Sequence, residues 1–273
     1  MLAAHELNLT ASAVSHQMRD LEAHFGRALF ERRHRRVQTT AEGRRLYESL
    51  ARVFDALEAA CAEVVLPAQD EVLAVHCAPS LAIKWLGPRL PAFLAARPEV
   101  KVRLTTGAEV LDLGVVREVD VALSYATPPV ERRGIDVTAL GPERIAPLIA
   151  PSQVPPGANP AELVQQQALI NSTLSPVTWS EWFEWQGLPL PARPRLAFDR
   201  AAMAIAAAAD GLGVALESTR LAARELERGE LVELGAQTFR PLTRAVHHLS
   251  VRSADRRRPA VRAFVDWVLA AAS

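Results

Sequence analysis

The spacing of apolar residues changes period along the 273 residues, and each period predicts a different kind of element. Residues 3–7 carry a short helical pattern, Asn8-Leu9-Thr10 a turn closing on a capping residue, and residues 11–24 a second helix. At about 100° of rotation per residue, Val14, Met18, Leu21 and Phe25 share one narrow stripe, with Ser12, Ser15, His16 and Arg19 opposite. This predicts a helix-turn-helix whose second helix is anchored by its stripe and offers hydroxyls, an imidazole and a guanidinium to a DNA groove. Taken alone, the helix favours a plainer reading, an amphipathic helix with a solvated face. The run behind it changes the balance. Leu29-Phe30 lead into a basic, hairpin-like stretch in which Val37 returns to the core, and Arg32, Arg33, Arg35 and Arg36 are placed to lie along phosphates or in a minor groove.

From Thr39 the pattern becomes a heptad. Thr39 with Glu42 makes a capping box, and Leu46, Leu50, Val53, Leu57, Ala60 and Val64 follow at intervals of 4, 3, 4, 3 and 4. Such a seam either pairs with a twin helix or packs on its own globular domain. Behind a DNA-binding head pairing is expected, because two heads must meet two half-sites. Pro67 stops the helix.

Beyond about residue 70, strand and helix patterns alternate, as in an α/β fold. Strands are expected at 72–77, 100–105 and 119–123, a helix at 80–96, and a crossing segment at 144–150. Pro155-Pro156-Gly157 then opens a second lobe with strands at 168–170, 195–198 and 214–216 and helices at 179–185 and 200–209. Residues 247–251 cross back, and 259–272 form a terminal helix. Two crossings imply two lobes, a cleft and a hinge, the geometry that clamps small ligands.

Composition narrows the function classes. Lys+Arg and Asp+Glu balance at 31 each, which excludes a uniformly basic nucleic-acid coat. Residues 1–45, however, hold eight arginines against five acids, so the first segment is net +3 and the remainder net −3. Cys61 and Cys77 are too few for a disulfide scaffold or a four-cysteine zinc site, and both are expected reduced and buried. The N-terminus shows no basic-then-apolar leader, and the most apolar run, Ala201–Ala209, falls short of the ~20 residues of a membrane span, so a soluble, cytoplasmic protein is expected.

Other chemistry finds little footing. His247 and His248 are adjacent on a strand and point to opposite faces, so a shared metal is not expected. Gly211-Leu212-Gly213 lacks the third glycine of a dinucleotide fingerprint. Trp179, Trp182 and Trp185 share one helical side and read as core, and Arg256-Arg257-Arg258 reads as a solvated turn. No catalytic triad or carboxylate pair is identifiable by spacing, so no metal, cofactor or enzymatic activity is expected.

At this point a resemblance becomes specific. The run Ala3-Ala4-His5-Glu6-Leu7 through Ala11-Ser12-Ala13-Val14-Ser15-His16-Gln17-Met18-Arg19-Asp20-Leu21-Glu22, then Leu29-Phe30-Glu31-Arg32 and Thr39-Thr40-Ala41-Glu42-Gly43, resembles the head of LysR-type transcriptional regulators. Pro79-Ser80, Trp85-Leu86-Gly87-Pro88-Arg89-Leu90, Val119-Asp120-Val121-Ala122-Leu123, Asp210-Gly211-Leu212-Gly213-Val214-Ala215-Leu216 and Val261-Arg262-Ala263-Phe264-Val265-Asp266-Trp267 resemble the family's co-inducer domain, especially its glycine-cleavage-activator-like branch. Two departures stand out. The family carries a further helix and a Ser-Phe pair ahead of the double alanine, so the face of Leu7, Val14, Leu21 and Phe25 is expected to be under-packed. Ala11 also stands where many members have glutamine.

The resemblance implies an α/β fold class: an N-terminal winged helix-turn-helix (1–40) and a long linker helix (41–67), followed by a two-lobed, periplasmic-binding-protein-like α/β effector domain (68–273). Lobe I is expected at about 70–146 and 250–273 and lobe II at 147–249. DNA contacts are expected from Ser12, Ser15, His16, Gln17, Arg19, Arg32, Arg33, Arg35, Arg36 and Thr40. Effector contacts are expected from Ser80, Leu81, Thr105, Thr106, Ser124, Tyr125, Ile149 and Phe198, with Asp199 read as a helix cap. Ser80 either receives a carboxylate with the amides that follow it or only caps. The implied partners are double-stranded operator DNA, a small-molecule effector such as an amino acid or other carboxylate, RNA polymerase indirectly, and a second copy in a homodimer or homotetramer. Three alternatives stay open: a two-lobed binding protein, an enzyme built on the same lobes, and a regulator that has lost specific DNA binding.

Overall fold

A computed structural model describes residues 10–33, 36–65, 71–125, 133–191 and 194–272. The chain forms two compact units, Met1–Pro67 and Ala68–Ser273. In the first, α1 (Ala11–Phe25) begins where Thr10 Oγ1 accepts from the Ala13 amide at 3.2 Å, and ends on Gly26, whose φ of +60° supplies the left-handed turn. The helix expected at 3–7 lies outside the described residues. Val14, Met18 and Leu21 are half-buried and Phe25 is 49% exposed. A two-stranded wing follows, β1 (Phe30–Arg33) antiparallel to β2 (Arg36–Thr39). Glu22 ties helix to wing by accepting from the amides of Leu29 at 2.8 Å and Phe30 at 3.0 Å. Val37, expected in the core, is 63% exposed, because a two-stranded ribbon has no third layer to cover it.

The long helix α2 (Ala41–Val65) is capped by Thr40 rather than Thr39: the Gly43 amide donates to Thr40 Oγ1 at 3.0 Å, and that hydroxyl donates to the Ala28 carbonyl at 2.8 Å. Gly43 is required there, since a Cβ would stand 2.0 Å from the Leu29 carbonyl oxygen. Along the seam Leu46 is half-buried and Leu50 and Val53 are exposed, as are the neighbouring Tyr47 and Phe54. The side chains of Leu57, Ala60 and Val64 lie outside the described set.

The second unit begins with β3 (Glu71–Cys77), then a helix built of α3 (Pro79–Leu81), a single π turn (Ala82–Leu86) and α4 (Gly87–Ala96). There follow β4 (Val100–Thr106), β5 (Val121–Tyr125), β6 (Ile135–Ala139), β7 (Glu143–Ile149), α5 (Pro160–Gln166), β8 (Leu169–Ser172), α6 (Trp179–Gln186) and β9 (Pro194–Phe198). The remainder is α7 (Ala201–Ala209), β10 (Val214–Ser218), α8 (Ala223–Glu227), β11 (Val232–Glu233), β12 (Leu242–Arg244), β13 (His247–Arg252) and α9 (Pro259–Ala272). One sheet has the order β4-β3-β5-β13-β6, the other β11-β7-β10-β8-β9 with β12 also on β7. The chain changes sheet between β6 and β7 and returns between β12 and β13, so the expected lobe edges at 146/147 and 249/250 fall inside β7 and β13.

Aromatic packing marks the two cores. Phe93 of α4 meets Phe264 of α9 edge to face at 5.3 Å, and Trp182 meets Phe183 and Phe239 in the same way at 5.2 and 4.8 Å. Trp185 is 44% exposed, against the sequence reading: each tryptophan sits about 60° further round the helix than the last, and Phe183 takes the inward position. The strand expected at 119–123 starts instead at Val121, because the Asp120 side chain turns back to accept from the Ala74 amide at 2.8 Å. Asp120 also pairs with Arg258, and Arg256 lies 3.7 Å from Asp266, so the triple arginine is an anchoring turn rather than a solvated one.

Candidate functional site

On α1, Ser12, Ser15, His16, Gln17 and Arg19 are all exposed. Steps of three and four residues put Ser12, Ser15, His16 and Arg19 on one face. They are also engaged within the helix: His16 Nδ1 lies 2.8 Å from Asp20, Arg19 Nε donates to the Ser15 carbonyl at 3.2 Å, and the Ser12 hydroxyl is 3.1 Å from that of Thr10. The backbone carries Arg32, Arg33 and Arg36 on the wing, while their side chains, and Arg35 altogether, lie outside the described residues. Thr40 has committed its hydroxyl to the cap.

In the second unit a cavity of about 170 Å³ opens between the sheets. From the first lobe it is lined by Ser80, Leu81, Val110, Tyr125 and His247, among others, and from the second by Leu174, Asp199, Arg200 and Ala201. Ser80, Leu81 and Tyr125 were expected there; the other five stand elsewhere. Thr105 Oγ1 is 3.2 Å from His76 Nδ1, and Thr106 sits at the exposed end of β4. Ser124 is buried on the face opposite Tyr125, Ile149 is wholly inside the second core, and Phe198 packs on the edge of the first. His247 and Arg200 were missed, and their signals were faint: a histidine where the chain returns between lobes, and an arginine directly before an alanine-rich helix.

Ser80 does cap, but not its own helix. Its hydroxyl accepts from the Ala202 amide at 3.0 Å, in the first turn of α7 in the other lobe. The residue before α7 is Arg200, with no side-chain cap, and Asp199 pairs with Arg200 at 2.9 Å instead of capping. A second interlobe link joins Lys84 Nζ to Glu225 at 2.7 Å.

Behind the cavity lies a buried polar cluster. Glu143, the first residue of β7, accepts from His247 Nδ1 at 2.7 Å, Ser218 Oγ at 2.5 Å and Arg220 Nη1 at 3.1 Å. Burial pushes its carboxyl up, but the hydrogen bonds from His247 and Ser218 and the neighbouring positive charge outweigh that and hold it below the ordinary carboxylate range. Glu217 of β10 has no charged partner: full burial lifts it to about 7 despite the Ser172 hydroxyl and the Ser218 amide. Burial, then the Glu217 charge, raise the Tyr125 phenol.

A helix, a two-stranded wing and a long helix, together with two sheets enclosing a ligand-sized cavity, fit a DNA-binding regulator with an effector domain. Residues 1–44 match the bacterial regulatory helix-turn-helix proteins of the lysR family, and residues 68–273 match the LysR substrate binding domain. The chain belongs to the LysR-type transcriptional regulators. It is 39% identical over 269 residues to the HTH-type transcriptional regulator y4mQ of Sinorhizobium fredii, covering 97% of this chain and 88% of that protein. It is 30% identical over 275 residues to the glycine cleavage system transcriptional activator of Escherichia coli, covering 99% of this chain and 88% of the other. Among solved structures, the effector domain of AmpR of Pseudomonas aeruginosa superposes with a TM-score of 0.61 at 26% identity, over 74% of this chain and 96% of that one. Among the described residues, no helix is long and apolar enough to cross a membrane.

Proposed function

We propose that this regulator recognises a specific operator through residues 1–40, pairs with a second copy through 41–67, and binds a small carboxylate between the lobes of 68–273. On this reading Ser12, Ser15, His16 and Arg19 enter a major groove and Arg32, Arg33, Arg35 and Arg36 hold backbone, with transcription changed through RNA polymerase in the cytoplasm. The exposed Tyr47, Leu50, Val53 and Phe54 support pairing, since an apolar stripe on a long helix is stable when a twin covers it. The protein works as a homodimer or homotetramer and does not turn its ligand over.

The observation that carries the ligand reading is the Ser80–Ala202 hydrogen bond at the cavity wall. A helix N-terminus attracts anions, and here its first-turn amide is held by a side chain from the opposite lobe, with Arg200, paired with Asp199, on the same cavity wall. A carboxylate competes for that amide and accepts from the freed Ser80 hydroxyl, so occupancy alters the contact between the lobes. Two measurements test the reading. A footprint on the DNA upstream of the chain's own gene is expected to be sequence-specific and to weaken steeply with salt, whereas equal affinity for random DNA refutes operator recognition. Melting in the presence of a panel of carboxylate metabolites is expected to show a stabilising member whose effect is lost in Ser80→Ala and whose chemical form is unchanged after incubation; no Ser80-dependent shift refutes the cleft reading.

A further inference from the structure

The cavity lies where the parallel strands of both sheets end. β3, β4 and β5 run parallel in the first lobe, and β8, β9 and β10 in the second. Open α/β sheets bind ligands beyond such carboxyl ends. Ser80 and Ala201 stand on the helices that follow β3 and β9, and Val110 and Leu174 on the connections that follow β4 and β8. The charges on the wall are already spent: Arg200, its one guanidinium among the described residues, pairs with Asp199 at 2.9 Å. Tyr125 and His247 pack ring on ring at 5.0 Å. Apart from Ser80, the rest is hydrocarbon. Leu81 is fully buried, whereas Val110 and Leu174 are 37% and 44% exposed. A single exposed apolar side chain is ordinary. Here there are two, one from each lobe, on the wall of one cavity, and a molecule lying between them removes both from water.

We infer that the end of the ligand remote from its carboxylate is a bare hydrocarbon chain, and that Val110 and Leu174 grip it from the two lobes and set its length. This rests on the cleft reading above. The size follows from the cavity of about 170 Å³. An apolar cavity of roughly 150 Å³ accepts benzene, which sets the ligand at about six to nine non-hydrogen atoms, of which a carboxylate takes three and leaves a chain of about three to six carbons. A second anionic group at the far end would find no unpaired guanidinium or ammonium among the described lining residues, and would be desolvated against Val110 and Leu174.

The test uses the full-length protein and three parallel series of acids of about four to ten carbons, unsubstituted, 2-hydroxy and 2-amino. The second carbon thus carries a hydroxyl, an amine or neither while the chain is read by its length, so the outcome is independent of what Tyr125 and His247 offer that carbon. Affinities are read by titration calorimetry. In at least one series, affinity is expected to rise about threefold to fourfold with each methylene and to fall again beyond about seven carbons. Acids of the best length that bear a second carboxylate at the far end should bind at least about tenfold more weakly. Leu174→Ala and Val110→Ala are each expected to move the best length up by about one to three carbons, a shift that loss of fold does not produce. The enlarging changes Leu174→Phe and Val110→Leu should move it down, and stand in for an alanine variant that does not fold. The inference is overturned if no member of any series binds, if affinity is indifferent to chain length, if the second carboxylate costs nothing, or if the change at either position leaves the best length where it was. The cleft reading itself fails only if the broader panel also lacks a Ser80-dependent shift.

Discussion

Among the described residues of the first unit, Leu29 is the one apolar side chain that reaches full burial, while Phe25, Phe30, Val37, Tyr47, Leu50, Val53 and Phe54 are exposed. The second unit buries two aromatic-rich cores and also a glutamate and a histidine, tied into one cluster with the half-buried Arg220. The same apolar spacing therefore does different work in the two units. In the sensor it fills an interior. In the head and linker it fixes helix and strand directions while leaving hydrocarbon for contacts outside the unit. It follows that the sensor should be vulnerable where polar groups are buried, and the head where backbones approach closely.

The largest expected effect tests the sensor half of this contrast. Glu143→Ala leaves the buried His247 Nδ1 and the Ser218 hydroxyl without their acceptor, while Arg220 keeps the Ala272 carbonyl, and breaking a buried ion pair costs about 3–5 kcal/mol. Denaturant unfolding of the full chain should show that loss in the sensor's transition; a change under about 1 kcal/mol would remove the cluster as a structural element. Because the Glu143 carboxyl is held low, its contribution is present above the ordinary carboxylate range and is lost as pH falls through the folded value.

Glu217 runs the other way. Its folded value of about 7 lies above that of the unfolded chain, so stability falls as pH rises through the interval between them, and the penalty is complete above about 7. Glu217→Gln should accordingly raise stability by roughly 2–3 kcal/mol at pH 8 and by little at pH 4.5. Equal effects at both pH values would show that the carboxyl is not held neutral by burial.

The head half is tested by Gly43→Ala, whose methyl would collide with the Leu29 carbonyl. A cost of about 1–3 kcal/mol is expected in the head, with weaker DNA binding and an unchanged ligand-induced shift in sensor melting. The smallest change in folding stability should come from Leu50→Asn on the exposed seam: within about 0.5 kcal/mol for the monomer, yet with weakened self-association in sedimentation. A large loss of monomer stability would show that the seam packs within its own unit.

Features encoded by local spacing were legible in the sequence. The long helix α2, the exposed polar face of α1 and the alternation of the sensor all depend on residues within a few positions of each other. Ser80 was legible as a capping hydroxyl, though the helix it caps lies 122 residues away. What escaped needed either parity or distance. Ser124 and Tyr125 are neighbours, and only the strand's pleat decides that Tyr125 meets the cavity. Thr39 and Thr40 offer the same hydroxyl one position apart, and the close approach of Gly43 to Leu29 selects Thr40. Glu143 and His247 each open a strand with no local mark of their pairing. Arg258 read as solvated because its partner, Asp120, lies 138 residues earlier in the chain.

That pairing has one more consequence. The chain enters the second lobe at Glu143 and leaves it at His247, and a single carboxylate–imidazole hydrogen bond clasps these two points, 104 residues apart. The lobe is thus a parenthesis in the first, with its ends already closed. Closing a loop costs only about 0.6 kcal/mol more for each doubling of length, so the clasp is nearly indifferent to what it encloses. Changes of length in the enclosed segment that spare Ser218 and Arg220, which hold the same carboxylate, and the contacts to Ser80 and Lys84 can proceed behind the clasp.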